Sequence, residues 1–312
     1  MATQHHPLGS IVPELPTTVA SLAYIKDLER YKTEVPYRWR GPLSAEKSHL
    51  RSNIELENRS GIAVKDVSDL IGSRYLSLDQ NGFEILQYRH DYSDELLERQ
   101  EYLQQYLGSI AGVLKRRLDA DLAICFQYTF RRVTKPELGE IGRNLYEERA
   151  PGTSSSPGPP AYQVHADYNK EFPAQIIKQF LTPEELAKYP ASHSWKPLFA
   201  PVRNAPLAFC DPATLSLDDI IEVDTPSATG MSKTSYIKYN AGQQWYWCRD
   251  QTPEQVSFFK IWDSDMTACA PFVPHGALRF SIDDSIEVVR DSIETRMIVV
   301  VHKSKLKGPL SH

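Results

Sequence analysis

After residue 120 the chain is written almost wholly in short extended runs, and this constrains its fold more than any other feature. "LAICFQYTFRRV", "YQVHADY", "PLAFCD", "TSYIKYN", "QQWYWC", "VSFFKIW", "ALRFSI" and "TRMIVVVHK" are rich in β-branched and aromatic residues, with Pro, Gly and Asp between them. No helix alternates regularly with these runs, which argues against a parallel βαβ sheet. A β-sandwich, jelly roll or barrel is expected, mainly β with helices at the periphery.

Upstream, "IELEN", "GIAVKDV" and "FEILQY" read as further strands, with Asn81-Gly82 as a turn signal between two of them. Residues 92–119 carry the strongest helical pattern. Ser93 suits an N-cap, Glu95 and Glu98 fall in the first turn, and Leu96, Leu97, Leu103, Leu107, Ile110 and Leu114 recur at three- and four-residue steps. A second helix is expected over 180–189, with Thr182 as N-cap and Pro183 behind it. Residues 1–53, rich in Pro and polar side chains, read as an arm packed on the core, with a short helix at 21–31. Residues 54–312 read as one domain, carrying the 92–119 helix as an insert and a mobile Ser/Gly/Pro loop at about 150–160.

Composition narrows the function classes. The 312 residues, 41% of them hydrophobic, can bury a large core, and a net charge of −5 gives no overall attraction to nucleic acid or anionic membrane. No apolar run reaches the roughly 18 residues of a membrane helix. The first 20 residues lack a basic head followed by an apolar stretch. Cys125, Cys210, Cys248 and Cys269 are widely spaced without a C-x-x-C pair, as in reduced cytosolic proteins, and Cys125 and Cys210 sit in apolar runs as space-fillers. The expectation is a cytoplasmic protein, monomeric or a weak homodimer, acting on a small molecule. G-x-S-x-G, Rossmann and P-loop signatures are all absent, which disfavours a hydrolase or a nucleotide cofactor.

The chemistry gathers around "YQVHADYN". On a strand, His165 and Asp167 point to one side, a geometry that suits two ligands of a two-His, one-carboxylate Fe(II) site. Alone, the pair reads equally as two polar residues on a solvated edge. His275, in "APFVPHGALRFSI", differs from the other histidines in its Pro, Gly and apolar setting. By itself it also reads as a hydrogen-bonded core residue, whereas His193 in "PASHSWKP" falls in a loop. Downstream, "VVRDSIETRMIVVV" is a strand with Arg290, Ser292, Glu294 and Arg296 on one face and Ile293, Thr295, Met297 and Val299 on the other. Two arginines on one side of an apolar strand are costly to bury without partners. A bound dicarboxylate offers such a partner, as does internal pairing with Glu294. The order H-x-D, distal His, Arg-x-Ser is the one seen in jelly-roll 2-oxoglutarate oxygenases.

"YLSLDQNGFEIL", "YQVHADYN", "SWKPL", "APLAFCD", "QQWYWCRDQTPEQVSFFKIWDSD", "PHGALRF" and "RDSIETRMIVV" follow one another over residues 54–302. This ordered set resembles the fungal non-haem iron hydroxylase/desaturase family, which includes gibberellin desaturases and relatives of a cephalosporin 7α-methoxylase chain. The resemblance implies a double-stranded β-helix (jelly-roll, cupin-like) core and a role in secondary-metabolite biosynthesis. It implies His165, Asp167 and His275 as catalytic metal ligands for Fe(II), and 2-oxoglutarate and O2 as co-substrates. It further implies Arg290, Ser292 and Arg296 as the residues that bind 2-oxoglutarate. Two departures from the family pattern, Lys196 in "SWKPL" and Leu278 after "PHGA", are expected near the substrate. Trp245, Tyr246 and Trp247 read as core strand or, by alternation, as pocket lining. The competing readings are a non-haem iron oxidase whose arginine binds a substrate carboxylate without 2-oxoglutarate, and a non-catalytic jelly-roll binding protein.

Overall fold

The computed structural model describes residues 7–8, 14–40, 43–90, 99–133, 159–167, 190–198, 200–227, 230–280 and 290–301. The strands are β1 (Thr17–Ile25), β2 (Leu56–Asp66), β3 (Phe83–Gln87), β4 (Leu122–Val133), β5 (His165–Ala166), β6 (Pro190–Pro197) and β7 (Leu207–Cys210). They continue with β8 (Ile220–Ser227), β9 (Gly230–Ile237), β10 (Trp245–Trp247), β11 (Gln255–Asp263), β12 (His275–Ala277) and β13 (Arg290–Val300). Among the described residues the α-helix α1 (Gln100–Arg117) lies between β3 and β4.

These strands form two sheets. The larger runs β1-β2-β10-β7-β12-β5-β9-β8 and the smaller β3-β11-β6-β13-β4, with no strictly sequential order in either. Such crossing between two antiparallel-rich layers is the jelly-roll solution to a chain of many short strands. Strand alternation then assigns each face. Phe209 of β7 and Tyr246 of β10 meet Phe83 of β3 and Phe259 of β11 between the sheets, where Phe83 stacks on Phe209 at 4.7 Å. The opposite faces of β7 and β10 put Ala208, Cys210, Trp245 and Trp247 into a second cluster with Tyr24 and Val64. On the outer face of the smaller sheet, α1 lays Leu103, Tyr106, Ile110 and Leu114 over Phe258, Ile293, Met297 and Val299.

Five expectations change at this level. Residues 21–31 are not one helix: only a 3-10 turn at Glu29–Lys32 is helical, while β1 runs to Ile25 and pairs antiparallel with β2, because Leu22 and Tyr24 gain more from burial in the sheet than from local helix propensity. The expected arm is therefore sheet edge, and Leu8 is buried with its amide donating to Asp211 Oδ2 at 2.8 Å. "PASHSWKP" is not a loop but β6, between β11 and β13, its two prolines capping a strand whose polar letters hide it. Asn81-Gly82 does turn the chain, with Gly82 at φ +74°, but the flanking β2 and β3 lie in different sheets and form no hairpin. The helix expected over 92–119 runs instead from Gln100 to Arg117, with Arg99 extended at its N-cap, while residues 92–98 with the expected cap Ser93, the 180–189 helix and nearly all of the 150–160 loop lie outside the described residues.

Candidate metal and co-substrate site

His165 opens β5 and His275 opens β12, and the two strands pair so that these residues stand opposite each other. Their rings lie 4.4 Å apart. Each imidazole is aimed by the backbone two residues upstream: His165 Nδ1 donates to the Gln163 carbonyl (2.8 Å) and His275 Nδ1 to the Val273 carbonyl (3.0 Å). A carbonyl can only accept, so the proton sits on Nδ1 and the Nε2 lone pair is turned to the ligand face. Burial, and then the neighbouring His275, pull the His165 pKa down to about 4, which keeps its ring neutral and able to ligate. Asp167 Oδ2 lies 3.8 Å from His275 Nε2, and one donor atom from each of the three residues falls within 4.8 Å of the others. Among the described residues this is the single group of three or more side chains arranged to hold a metal ion. Two imidazoles and one carboxylate suit a divalent first-row metal with open positions.

The ligands line a pocket whose floor is the inner face of β13 and β4. Arg290 is 2% exposed, and among the described residues its Nε and Nη1 have no hydrogen-bond partner, nor does the buried Ser292 Oγ next to it. Burial lowers the Arg290 pKa to about 10, so the group remains charged at neutral pH. A buried guanidinium with two unmatched N–H donors, beside an unmatched hydroxyl, fits a carboxylate that arrives with its ligand. The Arg290 guanidinium also stands 5.4 Å from the Trp195 ring, which gives it a flat wall.

The other residues on this face have partners of their own. Glu294 pairs with Arg131 of β4 (3.0 Å), not with Arg290 or Arg296, and Arg131 Nη1 also donates to the Pro159 carbonyl. Arg296 Nη2 donates to Asp167 Oδ1 at 2.6 Å and Nη1 to Gln127 Oε1 at 3.2 Å. Arg296 thus serves the candidate ligand Asp167, while Arg290 is the arginine open to a co-substrate. Trp245, Tyr246 and Trp247 are core residues. Neither family departure lines the pocket. Ala277 does, and alternation turns Leu278 into the outer cluster, while Lys196 is buried with Nζ donating to the Pro197 carbonyl.

Sequence reasoning missed Gln127, Arg131, Leu207 and Phe259. A signal existed for the first two: "QYTFRR" alternates, which puts Gln127, Thr129 and Arg131 on one face of β4, and these pair with Arg296, Glu294 and Ser292.

The oxidoreductase/YMDC permease-like domain matches residues 22–300 of this chain. The hydroxylase/desaturase efuI of Hormonema carpetanum is 25% identical over 258 residues, covering 78% of this chain and 84% of that protein. The alpha-ketoglutarate-dependent dioxygenase tstK of Talaromyces stipitatus is 23% identical over 235 residues, covering 72% and 80%. Among solved structures, the iron and alpha-ketoglutarate-dependent endoperoxidase NvfI superposes with a TM-score of 0.72 over 92% of this chain and 99% of that one, at 21% identity, and so shares the fold. No described helix is long and apolar enough to cross a membrane. The chain belongs to the oxidoreductase/YMDC permease-like domain family, alongside fungal hydroxylases and desaturases.

Proposed function

We propose that this oxidoreductase is an Fe(II)- and 2-oxoglutarate-dependent oxygenase of a small secondary metabolite. The observation that carries the reading is the pairing, in one pocket, of a His-Asp-His donor set with a buried arginine whose donors are unmatched. His165, Asp167 and His275 would hold the metal, and Arg290 with Ser292 the far carboxylate of 2-oxoglutarate. Bound together, iron and 2-oxoglutarate supply a two-electron oxidation with O2, in which 2-oxoglutarate is converted to succinate and CO2.

The protein's own contribution is aim and exclusion. The Gln163 and Val273 carbonyls fix the proton of each imidazole on Nδ1 and turn each Nε2 toward the metal face. Arg290 anchors the co-substrate so that its keto acid end reaches the metal face. Leu207, Phe259 and Ala277 give that face an apolar wall that keeps water from the oxidising centre. Which C–H bond of the substrate lies over the centre selects hydroxylation, desaturation or ring closure. The reading includes a cytoplasmic enzyme working as a monomer or weak homodimer, supported by four cysteines that stand as free thiols.

Anaerobic Fe(II) titration with and without 2-oxoglutarate tests the reading. A visible charge-transfer band that requires both and is lost in His275→Ala is expected. Turnover without 2-oxoglutarate, and without succinate release, would overturn it and hand Arg290 to a substrate carboxylate instead.

A further inference from the structure

Arg296 is the one pocket arginine whose guanidinium is spent on a candidate metal ligand. Its Nη2 takes Asp167 Oδ1 at 2.6 Å, while Oδ2 is the oxygen turned toward His275 Nε2. The guanidinium is braced from behind by Gln127 Oε1. The brace follows from the regular β4–β13 register, in which Arg296 stands opposite Gln127 just as Glu294 stands opposite Thr129, and the register breaks only beyond it, where Met297 pairs with Cys125 and Phe126 is left over on β4. Here Met297 stays in the cluster under α1 while Arg296 reaches inward across 129 residues of sequence to Asp167.

We infer that Arg296 is a positioning residue that withholds one oxygen of Asp167 from the metal and so enforces single-oxygen coordination. The inference rests on the iron and 2-oxoglutarate reading above and deepens it. An octahedral ion bound by three protein donors has three positions left, two for a chelating keto acid and one for O2. A carboxylate is free to bind through one oxygen or two. Were Asp167 to chelate through both, it would take one of the three positions and crowd out the keto acid. A charge-assisted bond to Oδ1 costs the competing mode its second donor. A plain structural role for Arg296 would instead tie metal binding and co-substrate binding together.

The test uses the full chain with Arg296→Gln and Arg296→Lys, and Gln127→Ala should the first fail to fold. Fe(II) binding stoichiometry and the 2-oxoglutarate Kd of the Fe(II)-loaded protein are read separately under anaerobic conditions. The expected result for Arg296→Gln is full Fe(II) stoichiometry with 2-oxoglutarate binding weakened at least about tenfold and the charge-transfer band diminished. Arg296→Lys, which keeps a charge and a donor, should recover part of the loss. Unchanged 2-oxoglutarate affinity in Arg296→Gln, or loss of metal and co-substrate binding in parallel, would overturn the inference. Absence of the band in the unsubstituted protein would instead overturn the parent reading, so the two failures are told apart.

Discussion

The two faces of β13 answer to different demands. Outward, Ile293, Met297 and Val299 lie under α1 in a cluster of aliphatic and aromatic side chains, and the Thr295 hydroxyl is satisfied by Ser194. Inward, within the same eleven residues, stand Arg290, Ser292, Glu294 and Arg296, two of them with buried polar atoms that nothing in the described protein satisfies. The outer face is built as a core is built, whereas the inner face tolerates an uncompensated charge that a core would not. The difference teaches which substitutions should cost stability and which should cost ligands.

Substitutions that break this division follow in order of size. His275→Ala, at the far wall of the inner pocket, should abolish stoichiometric Fe(II) binding while leaving the fold intact, checked by anaerobic metal titration and circular dichroism. On the inner face, Arg290→Met should weaken 2-oxoglutarate binding by about a hundredfold, about 3 kcal/mol, yet hold or raise the Tm, because an unpaired buried charge is replaced by an apolar chain. Calorimetry that found Arg290→Met markedly less stable would mean the arginine has a structural partner after all. On the outer face, Ile293→Ala should do the reverse, costing about 2–4 kcal/mol of stability with 2-oxoglutarate affinity unchanged.

The layer beneath α1 adds a pH signature. Burial raises the Glu84 pKa above 4.5, against the opposing pull of its partner Arg117 on the helix. The native protein then holds that proton more tightly than the unfolded chain. Stability should therefore fall as pH rises from the unfolded value of about 4.5 through the folded one. Glu84→Gln should flatten that slope in denaturant titrations across the mildly acidic range. The smallest expected effect is at the entry to β3, remote from both faces of β13. Gly82→Ala meets a positive φ and presses on a Val273 methyl, and should cost at least about 1 kcal/mol by thermal unfolding.

What was legible in the sequence was whatever has a local period. The alternation that put Arg290 and Ser292 opposite Ile293 and Met297 is a property of any strand, and it held. H-x-D on one strand face and a His set apart by its Pro, Gly and apolar flanks were legible for the same reason. β6 was not, because its polar letters carry no alternation and its place between β11 and β13 depends on partners far away in sequence. Nor was β1, where a helix-like spacing was overruled by pairing with β2. The Arg296–Asp167 contact joins side chains 129 residues apart in sequence, one on β13 and one just past β5 of the other sheet, and alternation within one strand cannot name a partner on another.

The two carbonyls behind the imidazoles carry a last consequence. Gln163 and Val273 aim the candidate ligands through main-chain oxygen, and no side-chain substitution at either position can delete that atom. The donor geometry is therefore insulated from the drift of the residues that supply it. Pocket walls such as Leu207, Phe259 and Ala277 are open to rewriting, in nature or at the bench, while the metal-facing edge stays where it is. A scaffold that separates its invariant chemistry from its variable walls in this way is well suited to acquiring new substrates one side chain at a time.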